Sequence, residues 1–380
     1  MLRLVDTSRR LVGVDVARAL ALIGMAATHL FPGFTPDGEL HVSHVLASGK
    51  ASALFAVLAG VGLALASGAH RPLTGGALRG AQVGVLTRAA VLLVVGLLLG
   101  RVESPPLVIL AYYALLFVVA VPVLGLSSRT LAILALVAAV VTPLASYALR
   151  QWVDPTPIDE PGGRDLLVEL FLTGTYPVLT WTTYLFAGLA VGRSHLRRAS
   201  VAAKLLVGGA ALAVLAKLAS AVLLDLAGGR SELESSTEPL RGPVDDLLAA
   251  GLYGTTPPGD WRWLAVSAPH SGTTFDLAHT VGTSLAVLGV CLLLARVLPK
   301  WSLVPLAAVG SMTLTLYTLH VLAVAEDSPL LTEDPRALWL WHVGLALVLA
   351  TAWRTQVGRG PLEAVSARLS ERAAAAVVRR

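Results

Sequence analysis

The sequence predicts an all-α fold, a polytopic integral membrane helix bundle of about ten transmembrane helices. Three observations carry that prediction. First, 55% of the 380 residues are hydrophobic and only 14% are charged, where soluble domains carry roughly 25% charged residues. Mean hydropathy is correspondingly high, at +0.73. Second, apolar runs recur from residue 11 to residue 353, each close to the ~20 residues that span a bilayer as a helix. Third, these runs are continuous and lack the apolar–polar alternation of barrel strands.

The spans read as 11–31, 50–69, 85–102, 106–126, 129–149, 172–192, 201–227, 273–296, 302–324 and 337–356. The first is too long and too polar inside for a secretory h-region and no A-x-A-like site follows it, so no cleaved signal is expected. In the second, Gly60 and Gly62 of "GVGLALASG" read as small helix-packing residues rather than a phosphate loop, because no strand precedes them. The segment 228–272, with its Pro, Gly, Asp, Trp261 and Trp263, is expected to form a small lid or re-entrant element, and 150–171 ("DPTPIDEPGGRD") a shorter surface loop. A single membrane domain thus covers 1–360. The remainder, 361–380, reads as a basic amphipathic tail, solvated or interfacial.

Charge orients the bundle. Arg3, Arg9, Arg10, Arg71, Arg79, Arg193, Arg296, Lys300 and Arg354 fall on one side, and Asp37, Glu39, Asp154, Asp159, Glu160, Glu232, Glu234 and Glu238 on the other. The positive-inside rule then makes both termini cytoplasmic in a multi-pass cell-membrane protein. The net charge of +5 is spread over short loops and forms no basic patch, which argues against nucleic acid as a partner. The lone Cys291 excludes an internal disulfide. A homodimer is compatible with the sequence, and the lipid bilayer is the one partner that composition requires.

The chemistry starts inside the first span, "GVDVARALALIGMAATHLF". Arg18 and His29 are eleven residues apart, which returns to nearly the same helix face ~16 Å along the axis. Asp15 lies one turn before Arg18 and can pair with it. Either the pair is a packing clamp and His29 snorkels to the interface, or the helix joins an ion pair to an imidazole along one cavity. Seven of the nine histidines (His29, His41, His44, His270, His279, His320 and His342) lie near the non-cytoplasmic face. "SGTTFDLAHTVGTS" spaces Asp276, His279 or Thr280, and Thr283 at helical intervals, and "GSMTLTLYTLHVL" does the same for Thr313, Tyr317 and His320. Such stripes line bundle interiors or glue helices together, since lipid cannot satisfy them. Several imidazoles with a carboxylate nearby fit general-base chemistry, with His29, His41, Asp276 and His320 as the catalytic candidates. Lys50 at the start of the second span either snorkels or holds an anionic group. Lys217 lies mid-span, with Asp225 two turns later on the same helix, where a pair is open to it but no other role is assigned. No HExxH or H-x3-H pair occurs, so no metal is expected.

The segments "RRLVGVDVARALALIGMAATHLF", "SGKASALFAVLAGVGLALASG", "TGTYPVLTWTTYLFAGLAVGR", "PHSGTTFD" and "GSMTLTLYTLHVL" together resemble the membrane-embedded catalytic domain of heparan-alpha-glucosaminide N-acetyltransferase and its bacterial relatives, in the wider transmembrane acyltransferase superfamily. The resemblance covers about 10 to 322. It implies acyl transfer from cytosolic acyl-coenzyme A (acetyl-coenzyme A) as donor to a hydroxyl or amine on an extracytoplasmic glycan or glycolipid. Arg18 matches the motif arginine, followed here by Ala19 rather than Gly. The family's helix-end Asn falls on His29 and its catalytic His nearest His41, while Gly49 and Lys50 stand where an acid is usual. On this resemblance His29 is the favoured base and His41 its rival. Arg18, Arg71, Arg79 and Arg88 would hold donor phosphates, and Lys50, His270, Tyr317 and Trp261 the acceptor, with Trp261 and Trp263 either a sugar-stacking pair or part of the interfacial aromatic belt. A transporter or flippase is the alternative; it would need its polar site near the midplane, whereas here only Lys217 departs from the outward cluster.

Overall fold

A computed structural model of the chain describes residues 10–153, 165–226, 229, 233, 244–325 and 334–378. Arg3, Arg9, the acids Asp154, Asp159, Glu160, Glu232, Glu234 and Glu238, and most of the "DPTPIDEPGGRD" loop lie outside the described residues. The described residues form helices and no strand; the only β pairing among them is an isolated bridge between Phe34 and Leu40.

In order, the helices are α1 (Val12–Leu30), α2 (Val42–Ala47), α3 (Lys50–Ala66), α4 (Gly75–Leu99), α5 (Leu110–Ala120), α6 (Ser128–Arg150), α7 (Leu166–Val168), α8 (Val178–Gly192) and α9 (Ala199–Leu226). They continue with α10 (Val244–Ala250), α11 (Thr274–Val297), α12 (Lys300–Gly310), α13 (Thr313–Ala323), α14 (Pro335–Gln356) and α15 (Pro361–Val378). Seven helical stretches are long and apolar enough to cross a bilayer; α12 and α13, bent by 64° at their junction, are together long and apolar enough to count as an eighth, as a broken span or a re-entrant loop. Leu110–Val123 and Val178–Gly192 are shorter apolar helices, and with them the passages match the expected count of about ten. Two starts differ from expectation. Helix α4 begins at Gly75, ten residues early, because Arg79 and Gln82 interrupt the apolar run without breaking the helix. Helix α8 begins only after Pro177, which cannot continue the preceding π-turn over Glu169–Thr173.

Small residues let these helices touch backbone to backbone, the usual device where lipid gives no hydrophobic drive for association. A Cβ on Gly60 would sit 2.5 Å from the Leu185 carbonyl oxygen, so α3 lies directly on α8. Gly209 and Gly282 do the same for α9 against α11, and Gly13 meets the Cys291 carbonyl, seating α1 on α11. The anticipated packing role of Gly60 is thus met. Gly62 serves a different purpose, described below.

The first and last described residues, Arg10 and Val378, belong to one end of the bundle, with the start of α1 and the end of α14. There Arg193, 4% exposed, donates to the carbonyls of Ala64, Ser67 and Ala69 at 2.9, 3.0 and 2.9 Å. It also reaches Ser67 Oγ and the Leu124 carbonyl, so one guanidinium clasps the α3–α4 turn to the end of α5. At the opposite end, residues 251–254 pair with 269–270 through Leu252 N–Pro269 O and Gly254 N–His270 O. This loop covers a small separate core of Leu224, Leu233, Val244, Leu252, Trp263, Val266 and Ala268. The described part of the expected lid is therefore a packed cover over the ends of α3, α8 and α11.

The tail after Gly360 is seated on the bundle. Gly80 and Gly84 of α4 face Val378 and Ala374 of α15.

Candidate functional site

Helix α1 carries both halves of the site. Near its start Asp15, 4% exposed, pairs with Arg18 at 3.3 Å and with Arg10 at 3.8 Å. Arg18 also points a guanidinium nitrogen at the Leu58 carbonyl across α3, at 3.5 Å. Gly62 makes this possible, because a Cβ there would lie 2.7 Å from Arg18 Nη2. The sequence reading of Gly62 as a helix-packing residue is corrected accordingly: it leaves room for a charged side chain. Arg88 of α4 lies within electrostatic reach of Arg18, Arg359 and Glu371, and Arg354 within reach of Arg10 and Asp15. Arg10, Arg18, Arg88, Arg354 and Arg359 thus form a group with Asp15 and Glu371, five guanidiniums linked electrostatically to two carboxylates. A cavity of about 140 Å³ opens beside them, with Arg88 in its wall. Arg71 and Arg79 belong to the same end but are exposed; Arg71 stands beside His195 rather than in the arginine group.

At the far end of α1, His29 Nδ1 meets His320 Nε2 of α13 at 3.1 Å, the rings stacked with centroids 5.3 Å apart. Two neutral tautomers satisfy this contact. If His29 Nδ1 donates, its Nε2 keeps a lone pair and can act as a base. His342 of α14 stands edge-on to His320 with centroids 5.2 Å apart, and its Nδ1 donates to the Leu338 carbonyl at 2.8 Å. His342 Nε2 and His320 Nδ1 are buried without a partner. His41 acts locally, as its Nδ1 accepts from Ser43 N at 3.2 Å to cap α2 and its ring stacks on Phe31. Tyr317, one turn before His320, accepts from Ile109 N, so that stripe faces the bundle interior as expected.

The second stripe also turns inward. Asp276 is 3% exposed and accepts from Gly272 N at 3.1 Å, while Thr280 bonds Tyr184 at 2.8 Å. Asp276, His270, Trp181, Tyr184, Gly49, Gly254 and Gly272 surround a pocket of about 10 Å³, room for one water molecule. His270 takes a left-handed backbone, φ 55°, and burial pushes its imidazole down to about 4, so it is neutral near pH 7. Lys50 and Lys217 flank this carboxylate electrostatically. Their ammonium groups donate to the Val45 and Ser267 carbonyls at 2.7 and 2.6 Å. Lys217 thus works with the loop before α11 and not with Asp225, which removes the one mid-span departure from the outward cluster. Trp261 is 63% exposed and Trp263 only 1%. The stacking pair is therefore not available, because Trp263 is the centre of the small core.

Sequence reasoning did not single out Tyr184, Trp181 or Glu363 as site residues, and it grouped His342 with the outward histidines without a role. Aromatic spacing in "YPVLTWTTY" offered a faint signal for the first two; nothing local marks Glu363. Among the described residues no group of three or more His, Cys, Asp or Glu is arranged to hold a metal ion.

A search of curated proteins returns no match. A family model described as "Heparan-alpha-glucosaminide N-acetyltransferase, catalytic" matches residues 10–223. The match runs from the start of α1 into α9 and contains Arg18, His29, His41, Lys50, Arg71, Arg79 and Arg88. Asp276, His320, Tyr317, Trp261 and His270 come from the part of the chain beyond it. Matched over more than half of its length, the chain belongs to the heparan-alpha-glucosaminide N-acetyltransferase catalytic-domain family, a family of membrane acetyltransferases.

Proposed function

We propose that the protein moves an acetyl or other acyl group from acyl-coenzyme A to a hydroxyl or amine of an extracytoplasmic glycan or glycolipid. One observation carries this reading: a single helix joins the arginine group to the His29–His320 pair, with Arg18 and His29 eleven residues and ~16 Å apart. An extended pantetheine arm can bridge that stretch. Both termini would then be cytoplasmic, by the positive-inside rule. Arg18 and Arg88 would hold donor phosphates. His29 Nε2 would take the proton of the acceptor nucleophile as it attacks the thioester carbonyl, and the thiolate would leave towards the arginine end. His320, bonded to the other ring nitrogen, would fix the tautomer and share the charge. Asp276 and His270 would hold the acceptor once the covering loop makes room.

The test is acetyl-coenzyme A binding to purified protein, beside Arg18→Ala and His29→Ala. Saturable binding that weakens with Arg18→Ala and survives His29→Ala is the expected result. No binding at millimolar donor would overturn the reading and bring a transporter or flippase to the front.

A further inference from the structure

The C-terminal helix touches both the arginine end and the helix bearing His320. Helix α13 starts abruptly after the 64° bend, and its own N-cap residue, Met312, supplies no side-chain bond. The first N–H groups of a helix need partners from elsewhere. Glu363 of α15 provides them. Its Oε1 accepts from Leu314 N at 2.8 Å and Thr315 N at 3.1 Å, and its Oε2 accepts from the Thr315 hydroxyl at 2.6 Å. That hydroxyl in turn accepts from Leu362 N at 3.2 Å. The capped helix then carries Tyr317 to Ile109 and His320 to His29; Thr313 and His320 are two turns apart, ~10 Å. Two turns further along α15, Ser370 and Glu371 wall the 140 Å³ cavity opposite Leu63, Ser67 and Arg88. Glu371 pairs with Arg359 at 3.1 Å and lies within reach of Arg88.

We infer that Glu363 is a positioning residue: through it the C-terminal helix fixes α13, and so sets His320 against His29. Because the same helix walls the arginine-end cavity, an anionic donor that fills the cavity and competes with Glu371 for Arg88 acts on α13 through Glu363. This second half rests on the donor reading above; the first does not.

Hydrogen exchange on the full chain in lipid nanodiscs, with and without millimolar coenzyme A, separates the two. Without ligand, Glu363→Ala is expected to speed exchange across the whole of 313–320 by roughly tenfold while α8 keeps its protection. Glu363→Gln retains a carbonyl oxygen for Leu314 and Thr315, so it should change exchange far less. Speeding confined to the two amides that lose their acceptor, or spread equally over α8, overturns the positioning role. Should Glu363→Ala fail to fold, Thr315→Val removes only the hydroxyl bonds and should give the same pattern at smaller amplitude; an unchanged α13 in that variant overturns the role too. Coenzyme A should slow exchange in both 361–378 and 313–323 of the wild type, and in 361–378 alone of Glu363→Ala. Equal slowing of 313–323 in both proteins overturns the coupling. No slowing anywhere in the wild type overturns the coupling together with the donor site, and the ligand-free comparison still decides the positioning role.

Discussion

At the arginine end of α1, charge survives burial where a guanidinium is handed oxygens: Arg18 takes Asp15 and the Leu58 carbonyl, and Arg193 takes the α3–α4 turn and the Leu124 carbonyl. At the histidine end the groups are paired differently. His29 meets another imidazole, His342 meets a backbone carbonyl, and two ring nitrogens are left without partners. A guanidinium keeps its charge wherever it is placed, so it must be surrounded. An imidazole can give up its charge, so it can be left poised. On the proposed function, one end would hold a charged group and the other would move a proton.

The sharpest way to break this contrast is to remove the base. His29→Ala is expected to lower acyl transfer by roughly 10²–10⁴-fold while donor binding stays within a factor of two. Turnover and binding measured on the same preparation check it. Equal losses in both would mean that the two ends are not separable.

Next in size is Arg193→Ala. It removes a charged donor from the carbonyls of Ala64, Ser67, Ala69 and Leu124, of which Ala64 and Ser67 keep backbone donors, at a cost on the order of 3 kcal/mol. Thermal unfolding in nanodiscs should show a clear drop in midpoint, with the ratio of transfer to bound donor unchanged in the folded fraction. An unchanged midpoint would mean that water replaces the clasp without penalty.

Arg18 sharpens the comparison from the other side. Gly62→Ala places a methyl where its guanidinium lies, and the side chain is flexible enough to swing away. The expected result is a roughly tenfold loss of donor affinity with an intact fold, about the worth of one charge-assisted hydrogen bond. Arg18→Ala should lose at least as much, and the double variant no more than Arg18→Ala alone. Additive losses would show that Gly62 acts through something other than Arg18.

How far the sequence anticipated this follows the range of each interaction. The passages were legible because a hydrophobic run is a local property, and the pairing of Asp15 with Arg18 because three residues fix it on a helix. The inward face of Tyr317 and His320 was legible from spacing alone. Which imidazole His29 would meet was not, because α1 and α13 are 291 residues apart at that contact, and no periodicity in either helix specifies the other. The role of Gly62 escaped for the same reason: a missing Cβ is the same letter whether a helix or a guanidinium fills the gap. Trp261 and Trp263 looked alike in sequence, yet one is in the open and the other is the centre of a core; the alternation of a short turn decides it. Glu363 was hidden most completely. It is the third residue of its own helix, where an acid is ordinary, and only the fold gives it a second helix to cap.

The smallest expected effect tests whether the histidine end is kept uncharged throughout. Burial holds His270 down at about 4, against about 6.5 for an imidazole in the unfolded chain. Below pH 6.5 the unfolded chain therefore takes up a proton that the folded chain refuses until pH 4. Stability from this group is complete above pH 6.5, falls as the pH drops from 6.5 to 4, and levels off below that. Asn tolerates the left-handed backbone at this position and does not titrate, so His270→Asn should lose less stability on acidification than the wild type. The two unfolding midpoints, followed from pH 7 to pH 4, should draw together as the pH falls. Parallel curves would mean that His270 gains a partner or water when it is protonated, and that the pocket it shares with Asp276 opens in acid rather than resisting it.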